Sequence, residues 1–416
     1  MKILLSAIAC NPITGSEAAV GWTVASILAQ RHDVHVLTHE HNRVYFEEWL
    51  KTYTLPENLH LHYFGRNKPH HPNRLIARIN SVLDNYSWHS KLLEPARELH
   101  RQMQFDLTHH VTYSTWRVAS PLWQLDIPLI WGPLGGGELF PWRFAKILSP
   151  GTLFFEVARG LSGILLKRNL KIKKCAAKAA ACIAGNRETY RQLCSLRGTN
   201  SGVHSLCNSF FKEKQIAEFN NTLQQRKPND SLRIFSGGSL GGQKGVAITL
   251  QALAALKRKG IAFKYRLGGT GSELGHLRKL AGQLGISENI TFGETLAKDD
   301  YREELGKSDV YLLPSLRENA GITLMEAMLA GCVPIVANCG GPGEIVTDEC
   351  GFRVPITTPQ TMADEISNIL QRLNADFELL STMGKASHKR IATGYSEEKY
   401  LQSIEDIYSA ALRVST

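Results

Sequence analysis

Short apolar runs alternate with longer helical patterns along this chain, and they do so in two successive sets. The first set occupies residues 3–9, 34–38, 59–64, 107–111, 129–132 and 181–184, with helical stretches such as 18–31 and 87–104 between. The second occupies 232–235, 264–267, 290–292, 310–313, 333–337 and 352–354. A strand that is apolar throughout is buried on both faces, and a helix between two such strands is the crossover that parallel pairing requires. The pattern predicts an α/β protein with two doubly wound parallel sheets. At 416 residues the chain also exceeds one ordinary core. The stretches 202–211 and 220–230 read as connection, and residues 66–72 as a basic, His- and Pro-rich loop. The expected domains are therefore 1–207 and 208–389.

Composition narrows the function classes. Hydrophobic content of 43% and charged content of 21% are those of a globular protein. No apolar run reaches bilayer-spanning length. The start, Met1 to Cys10, imitates a short lipoprotein signal, but a patterned segment follows directly and a buried first strand is expected. Eight cysteines with no Cys-x-x-Cys pair and no metal spacing read as reduced core residues of a cytoplasmic protein; Cys175 and Cys182 could share a helix face.

A net charge of +10 asks for a partner. No nucleic-acid module is recognisable, so no nucleic-acid partner is expected; an anionic membrane surface is the other candidate. The densest run holds Lys167, Arg168, Lys171, Lys173 and Lys174 without an acid, just after the apolar stretches 153–155 and 164–166. Residues 151–174 read either as an interfacial helix or as a solvated face packed on its own domain. The first reading makes the protein peripheral at the inner face of the plasma membrane.

The chemistry concentrates at residues 314–326. An apolar run ends there, a polar turn carries Glu318 and Gly321, and a helical pattern opens through Glu326. The backbone N–H groups of Asn319, Ala320, Gly321, Ile322 and Thr323, at the positive end of a helix dipole, suit a diphosphate. Two carboxylates flank them. Phosphate disfavours carboxylates, so Glu318 and Glu326 are better read as acceptors for hydroxyl groups, and the ligand carries both diphosphate and sugar.

Other turns extend this reading. The segment 237–245 is not a P-loop, because Gln243 and Gly245 flank Lys244 where Gly and Ser or Thr are required. The segment 268–271 lacks the third glycine of a dinucleotide fingerprint, which disfavours a nicotinamide enzyme. Near the N-terminus, Gly15 and Ser16 could offer N–H groups to a phosphate and Glu17 could face an acceptor hydroxyl; a capped helix explains the same residues. His109 and His110 end a strand, and strand alternation turns only one of them inward. Gly135, Gly136 and Gly137 are costly to order together, so the loop running to Glu138 is read as acceptor-side, with Glu138 orienting a hydroxyl.

The pair Glu318 and Glu326 resembles the Glu-x7-Glu signature of family 4 (group 1) glycosyltransferases. The turn 236–245, the Gly-x-Gly turn at Gly269 and the late turn 340–344 fall into that family's order. The resemblance implies a GT-B fold, with two Rossmann-like domains facing a cleft and a C-terminal helix, 390–416, packing back on the first. It implies transfer, with retention and without a bound metal or cofactor, from a nucleotide sugar to a hydroxyl acceptor such as a lipid-linked glycan. The setting implied is bacterial polysaccharide or glycolipid assembly. Glu326 would take the ribose hydroxyls and Glu318 those of the donor sugar. Lys244, with Gly238 and the 319–323 backbone, would hold the diphosphate, and His110 or His109 would approach the donor sugar. Members usually carry Arg where Ser239 stands; Arg317 or Arg353 could substitute. No Asp-x-Asp triplet occurs, which agrees with metal independence. A GT-B nucleotide-sugar epimerase and a non-catalytic nucleotide-sugar binding protein are the alternatives.

Overall fold

The computed structural model describes residues 1–15, 17–65, 74–224, 231–293 and 298–415. It contains two sheets, both wholly parallel. The first runs β1 (Lys2–Ser6), β2 (Asp33–His39), β3 (Leu59–Phe64), β4 (Leu107–His110), β5 (Leu129–Leu134), β6 (Ala181–Ala184) and β7 (Val203–Ser205). The second runs β8 (Leu232–Gly237), β9 (Phe263–Gly268), β10 (Ile290–Gly293), β11 (Val310–Leu313), β12 (Val333–Ala337) and β13 (Phe352–Val354). Their orders are β3-β2-β1-β4-β5-β6-β7 and β10-β9-β8-β11-β12-β13. Each order reverses once, between β1 and β4 and between β8 and β11. Loops leaving the strand ends at such a reversal diverge and open a crevice, which is where open α/β sheets take ligands.

Every strand expected from the sequence is present, shifted at most by a few residues. The three-residue β7 lies in the stretch read as connection, because three residues carry no periodicity. The helical stretch 87–104 is broken into helices Arg74–Lys91 and Leu93–Met103; Pro95 has no N–H to bond the Lys91 carbonyl four residues back and sits in the first turn of the second helix, where no such bond is made. The polar stretch from 220 begins inside helix Glu213–Gln224, and 225–230 lies outside the described residues, as does the loop 66–72. β1 is buried between β2 and β4, as expected of a first strand.

The chain divides into two compact units: residues 1–137, 163–208 and 400–416, and residues 138–162 and 209–399. This differs from the expected 1–207 and 208–389. The segment 138–162 leaves the first half and supplies Phe140, Phe144 and Leu148 to the core built on Leu232, Ile234, Val310 and Leu312. The tail joins the first unit from Tyr400 onward, later than the expected 390. Five of the eight cysteines, Cys10, Cys175, Cys182, Cys332 and Cys350, are buried. Cys175 lies on helix Leu170–Lys178 and Cys182 on β6, so they share no helix face.

Residues 151–174 are two helices rather than one. Helix Pro150–Leu166 ends, and the Asn169 side chain caps the next by accepting from the Lys171 and Ile172 amides at 2.9 and 3.3 Å. No described helix is long and apolar enough to cross a membrane.

Candidate functional site

In the second unit the chemistry sits on turns held together by backbone contacts. After β8 a single 3-10 turn, Gly242–Lys244, leads through Gly245 into helix Val246–Arg258. Gly245 has φ 70°, and a Cβ there would stand 2.1 Å from the Pro314 carbonyl oxygen. Only glycine lets the two turns approach this closely. The Leu316 amide then donates to the Gln243 carbonyl at 2.8 Å, and the Ser315 hydroxyl donates to the same oxygen at 3.3 Å. The turn after β11 is thereby fastened to the turn after β8.

That fastening brings Lys244 and Glu318 into an ion pair, both side chains largely buried. The Ser315 hydroxyl also reaches Glu318 at 3.5 Å. A pocket follows the Lys244 side, lined by Ser236, Gly237, Ser239, Leu240, Leu312 and Pro314 among others, with Lys244 its one cation. Ser239 is exposed at this rim. Arg317 donates to the buried Glu156 at 2.7 Å and Arg353 to Asp348 at 2.7 Å, so each of the two arginines that could replace a cation at Ser239 already has a carboxylate.

Beyond Glu318 the chain turns through Gly321, φ 82°, into helix Ile322–Leu329, whose N-terminus has no side-chain cap. Its first N–H groups are the kind an anion satisfies. The late glycines complete the turn from behind. A Cβ on Gly340, φ 56°, would lie 1.9 Å from the Glu318 carbonyl oxygen, and one on Gly341 2.3 Å from that of Asn319. The Gly341 amide donates to the Asn319 carbonyl at 3.0 Å. Asn319 and Ala320 are half-buried in this turn. The Thr323 hydroxyl accepts from the Tyr311 phenol at 2.9 Å, so its side chain serves the fold. Glu326, half-buried one turn into the helix, faces the phenol of Tyr301; burial, the Tyr311 ring and the Glu326 charge push that phenol up. Gly238 and Gly269 take φ 117° and 121°; a Cβ on Gly269 would meet the Gly238 oxygen at 2.0 Å, whereas one on Gly238 would meet open space.

The first unit treats its candidates differently. His109 has both ring nitrogens engaged in the core. Nε2 donates to the Gly132 carbonyl at 2.6 Å, so Nδ1 is the acceptor for the Tyr408 hydroxyl, also at 2.6 Å. Burial lowers its pKa to about 4. His110 ends β4 at the sheet's reversal, with Nδ1 3.3 Å from the Ser6 hydroxyl and its ring against that of His89. Burial, then the neighbouring His89 and His109, push it well below the ordinary range. Beside it Tyr113 adopts φ 63°, a strained conformation for a bulky residue at a strand end and one that no sequence pattern announces.

The remaining expectations of the first half meet structural partners. Glu17 opens helix Glu17–Leu28 and accepts the Ser114 amide at 2.8 Å, which occupies the carboxylate read as facing an acceptor. Ser16 lies outside the described residues. Gly15 is exposed at the end of a loop shaped by Asn11, whose Oδ1 accepts from the amides of Ile13 and Thr14 at 3.2 and 2.8 Å. The Asn11 side chain was missed in the sequence, although Asn at a strand-to-helix turn is its ordinary signal. Gly136, φ 90°, accepts the Trp116 indole N–H at 2.8 Å, and Gly137 would drive a Cβ to 2.5 Å from the Thr189 backbone. Close packing within the unit accounts for these glycines. Glu138 belongs to the second unit, is buried, and pairs with Arg159 at 3.8 Å, so it is not an open hydroxyl-orienting carboxylate.

Residues 218–390 match the sequence model of the family described as glycosyl transferases group 1. The D-inositol 3-phosphate glycosyltransferase of Streptomyces bingchenggensis is 31% identical over 197 residues, 45% of this chain and 42% of that protein. WcaL of Escherichia coli K12, whose name assigns it to colanic acid biosynthesis as a glycosyltransferase, is 25% identical over 193 residues, 44% of this chain and 47% of that protein. The chain thus spans about half the length of the relatives it matches. Among solved structures, Anabaena HepE in complex with UDP-glucose aligns at TM-score 0.60 and 18% identity, over 99% of this chain and all of that one. That likeness shows the fold, GT-B, while the group 1 glycosyltransferase resemblance resides in the C-terminal half.

Proposed function

We propose that this chain is a metal-independent, retaining glycosyltransferase that moves a sugar from a nucleoside diphosphate to a hydroxyl acceptor in bacterial polysaccharide or glycolipid assembly. The observation that carries the reading is the junction of the turns after β8 and β11. An uncapped helix N-terminus, a lysine and two carboxylates there lie within the group 1 match. Helix N–H groups and Lys244 would oppose the negative charge that grows on the leaving diphosphate. Glu326 would accept from ribose and Glu318 from the donor sugar. The Lys244–Glu318 pair gives a reason for their coupling: each neutralises the other until diphosphate and sugar arrive together. The relatives named for polysaccharide assembly and the UDP-glucose complex of HepE support the choice of setting and donor class.

A direct test incubates the protein with UDP-glucose and other nucleotide sugars in EDTA, with and without lipid-linked glycans, and follows nucleotide release and product anomer. Acceptor-dependent release with the donor's anomeric configuration is expected. Binding without release would favour a nucleotide-sugar binding protein, a free epimerised sugar an epimerase, and strict metal dependence would remove the metal-free mechanism.

A membrane surface is the proposed partner, on a separate observation. Helix Pro150–Leu166 exposes Phe154 (70%), Phe155, Leu161, Ile164 and Leu165 (67%), and Leu170 (71%) follows among the exposed Lys167, Arg168, Lys171, Lys173 and Lys174. Apolar surface beside cationic surface suits anionic lipid. Sedimentation with anionic liposomes at low salt is expected, falling as salt rises. Gln at the five basic positions should abolish it; equal binding to neutral liposomes would refute this reading.

A further inference from the structure

The N-terminal ends of β2 and β3 gather a group of side chains that the transfer reaction does not use. These strands pair in parallel with His35 opposite His60 and Leu37 opposite His62. Asp33 and His35 are two apart on β2 and share a face of the sheet, as do His60 and His62 on β3. This end of the sheet is opposite the strand ends that carry the Asn11 loop and Tyr113.

The group's geometry is not that of an ordinary ion pair. Asp33 Oδ1 is 3.0 Å from His60 Nε2 and 3.5 Å from His35 Nε2, yet it is buried and accepts no hydrogen bond. A buried carboxylate oxygen without a donor is costly, and two imidazole nitrogens face it without being aimed as donors. Among the described residues, Asp33, His35 and His60 are the group whose ligand atoms all lie within 4.8 Å of one another. Two ligand atoms on a tetrahedral ion at about 2.0–2.1 Å stand roughly 3.3 Å apart, close to both spacings seen here.

The surroundings suit a cation. His35 Nδ1 is 2.9 Å from His62 Nε2, and the two rings are stacked. When His35 donates through Nδ1, its Nε2 keeps a lone pair, and His62 becomes the outer partner that holds the ring in that tautomer. Lys2, the nearby cation, donates its ammonium to the Met103 carbonyl at 3.0 Å. Asp33 and His60 are 36% and 45% exposed, which leaves an approach from solvent and room for a water as fourth ligand.

We propose that Asp33, His35 and His60 bind a divalent transition-metal ion of the Zn2+ class, with His62 as a positioning residue. Imidazole and carboxylate ligands in this number suit Zn2+, Ni2+ or Cu2+ better than Mg2+ or Ca2+. The ion would join two strands at the edge of the first sheet and is structural, so transfer remains insensitive to chelation while the stability of the first unit does not.

Calorimetric titration of the untagged, EDTA-treated full chain with Zn2+ tests this, with Co2+ absorption reporting geometry. A single equivalent should bind, raise Tm and give the intense visible bands of a low-coordinate Co2+ site. His62→Ala should weaken binding about 10–100-fold and alter the Co2+ spectrum, the cost of losing an outer partner. His60→Gln and Asp33→Asn should weaken it further while far-ultraviolet circular dichroism and nucleotide binding stay unchanged. His60 lies half-exposed on an edge strand, so its variant is expected to fold. Absence of stoichiometric Zn2+ binding by the parent protein overturns the proposal, and so does binding that survives His60→Gln and Asp33→Asn.

Discussion

The two units solve the same architectural problem, a parallel sheet with one reversal, and then place their polar chemistry in opposite ways. In the second unit it lies on turns. Lys244, Glu318 and the start of helix Ile322–Leu329 follow strand ends, and glycines at 245, 269, 340 and 341 admit backbone contacts that no Cβ would allow. In the first unit it lies on strands and in the core. Of the fifteen histidines only His276 and His388 fall in the second unit's ranges, and every histidine with a displaced pKa is in the first. The contrast teaches that a turn-borne site is written in neighbouring residues, whereas a buried histidine takes its role from whatever the fold brings against it.

The sharpest way to break this contrast is at Gly340. Alanine there combines positive φ with a Cβ 1.9 Å from a backbone oxygen, so strain of at least roughly 1–3 kcal/mol and displacement of the Glu318 turn are expected. Nucleotide binding by calorimetry should be lost or the protein should fail to fold. A Gly340→Ala protein of parental affinity would mean that backbone approach does not shape the site.

Histidine substitutions should separate the units' logics next. His109→Ala leaves the Tyr408 hydroxyl and the Gly132 carbonyl unpaired in the core, at roughly 1–3 kcal/mol each. Urea denaturation should show that loss, with turnover per folded molecule near parental. His110→Ala should do the reverse, lowering turnover more than stability. Equal effects of the two would erase the distinction drawn between them.

Within the second unit, Glu326→Ala should cost about 1.5–3 kcal/mol of nucleoside diphosphate affinity, the worth of a hydrogen bond to a charged group. Glu318→Ala releases Lys244 from its partner, so diphosphate affinity should be kept while turnover of the intact donor falls. If both variants lose nucleotide affinity alike, the two carboxylates do not divide ribose and sugar between them.

The smallest effect is the pH dependence. Burial is the leading cause that lowers His35, His41, His89 and His109 to about 4, from an ordinary 6.5. Between those values the unfolded chain binds protons that the folded chain refuses, so their contribution is intact above about 6.5 and declines as pH falls toward 4. Tryptophan fluorescence reports on this unit, since Trp142 alone of the seven tryptophans lies outside it. A fluorescence-monitored Tm that does not fall across this range would contradict the burial of neutral histidines. Zn2+ at the Asp33 group should oppose the fall, which makes a metal-free sample the proper baseline.

Much of this protein was determined by sequence alone. Apolar runs at crossover spacing announced both sheets, and glycines at Gly245, Gly269 and Gly340 marked turns because only residues without a Cβ survive such contacts. The segment 314–326 announced a strand, a turn and a helix start from adjacent residues. Tertiary structure decided what depends on distant partners. Glu17 was claimed by Ser114 and Glu138 by Arg159; Lys244 paired with Glu318, 74 residues away, and His109 with Tyr408, 299 residues away. It also moved residues 138–162 into the other unit's core and cut the expected basic helix at Asn169. Periodicity and turn chemistry act over a few residues and can be read along the chain. Burial, tautomer and ion pairing are set by neighbours that the chain reaches only after folding.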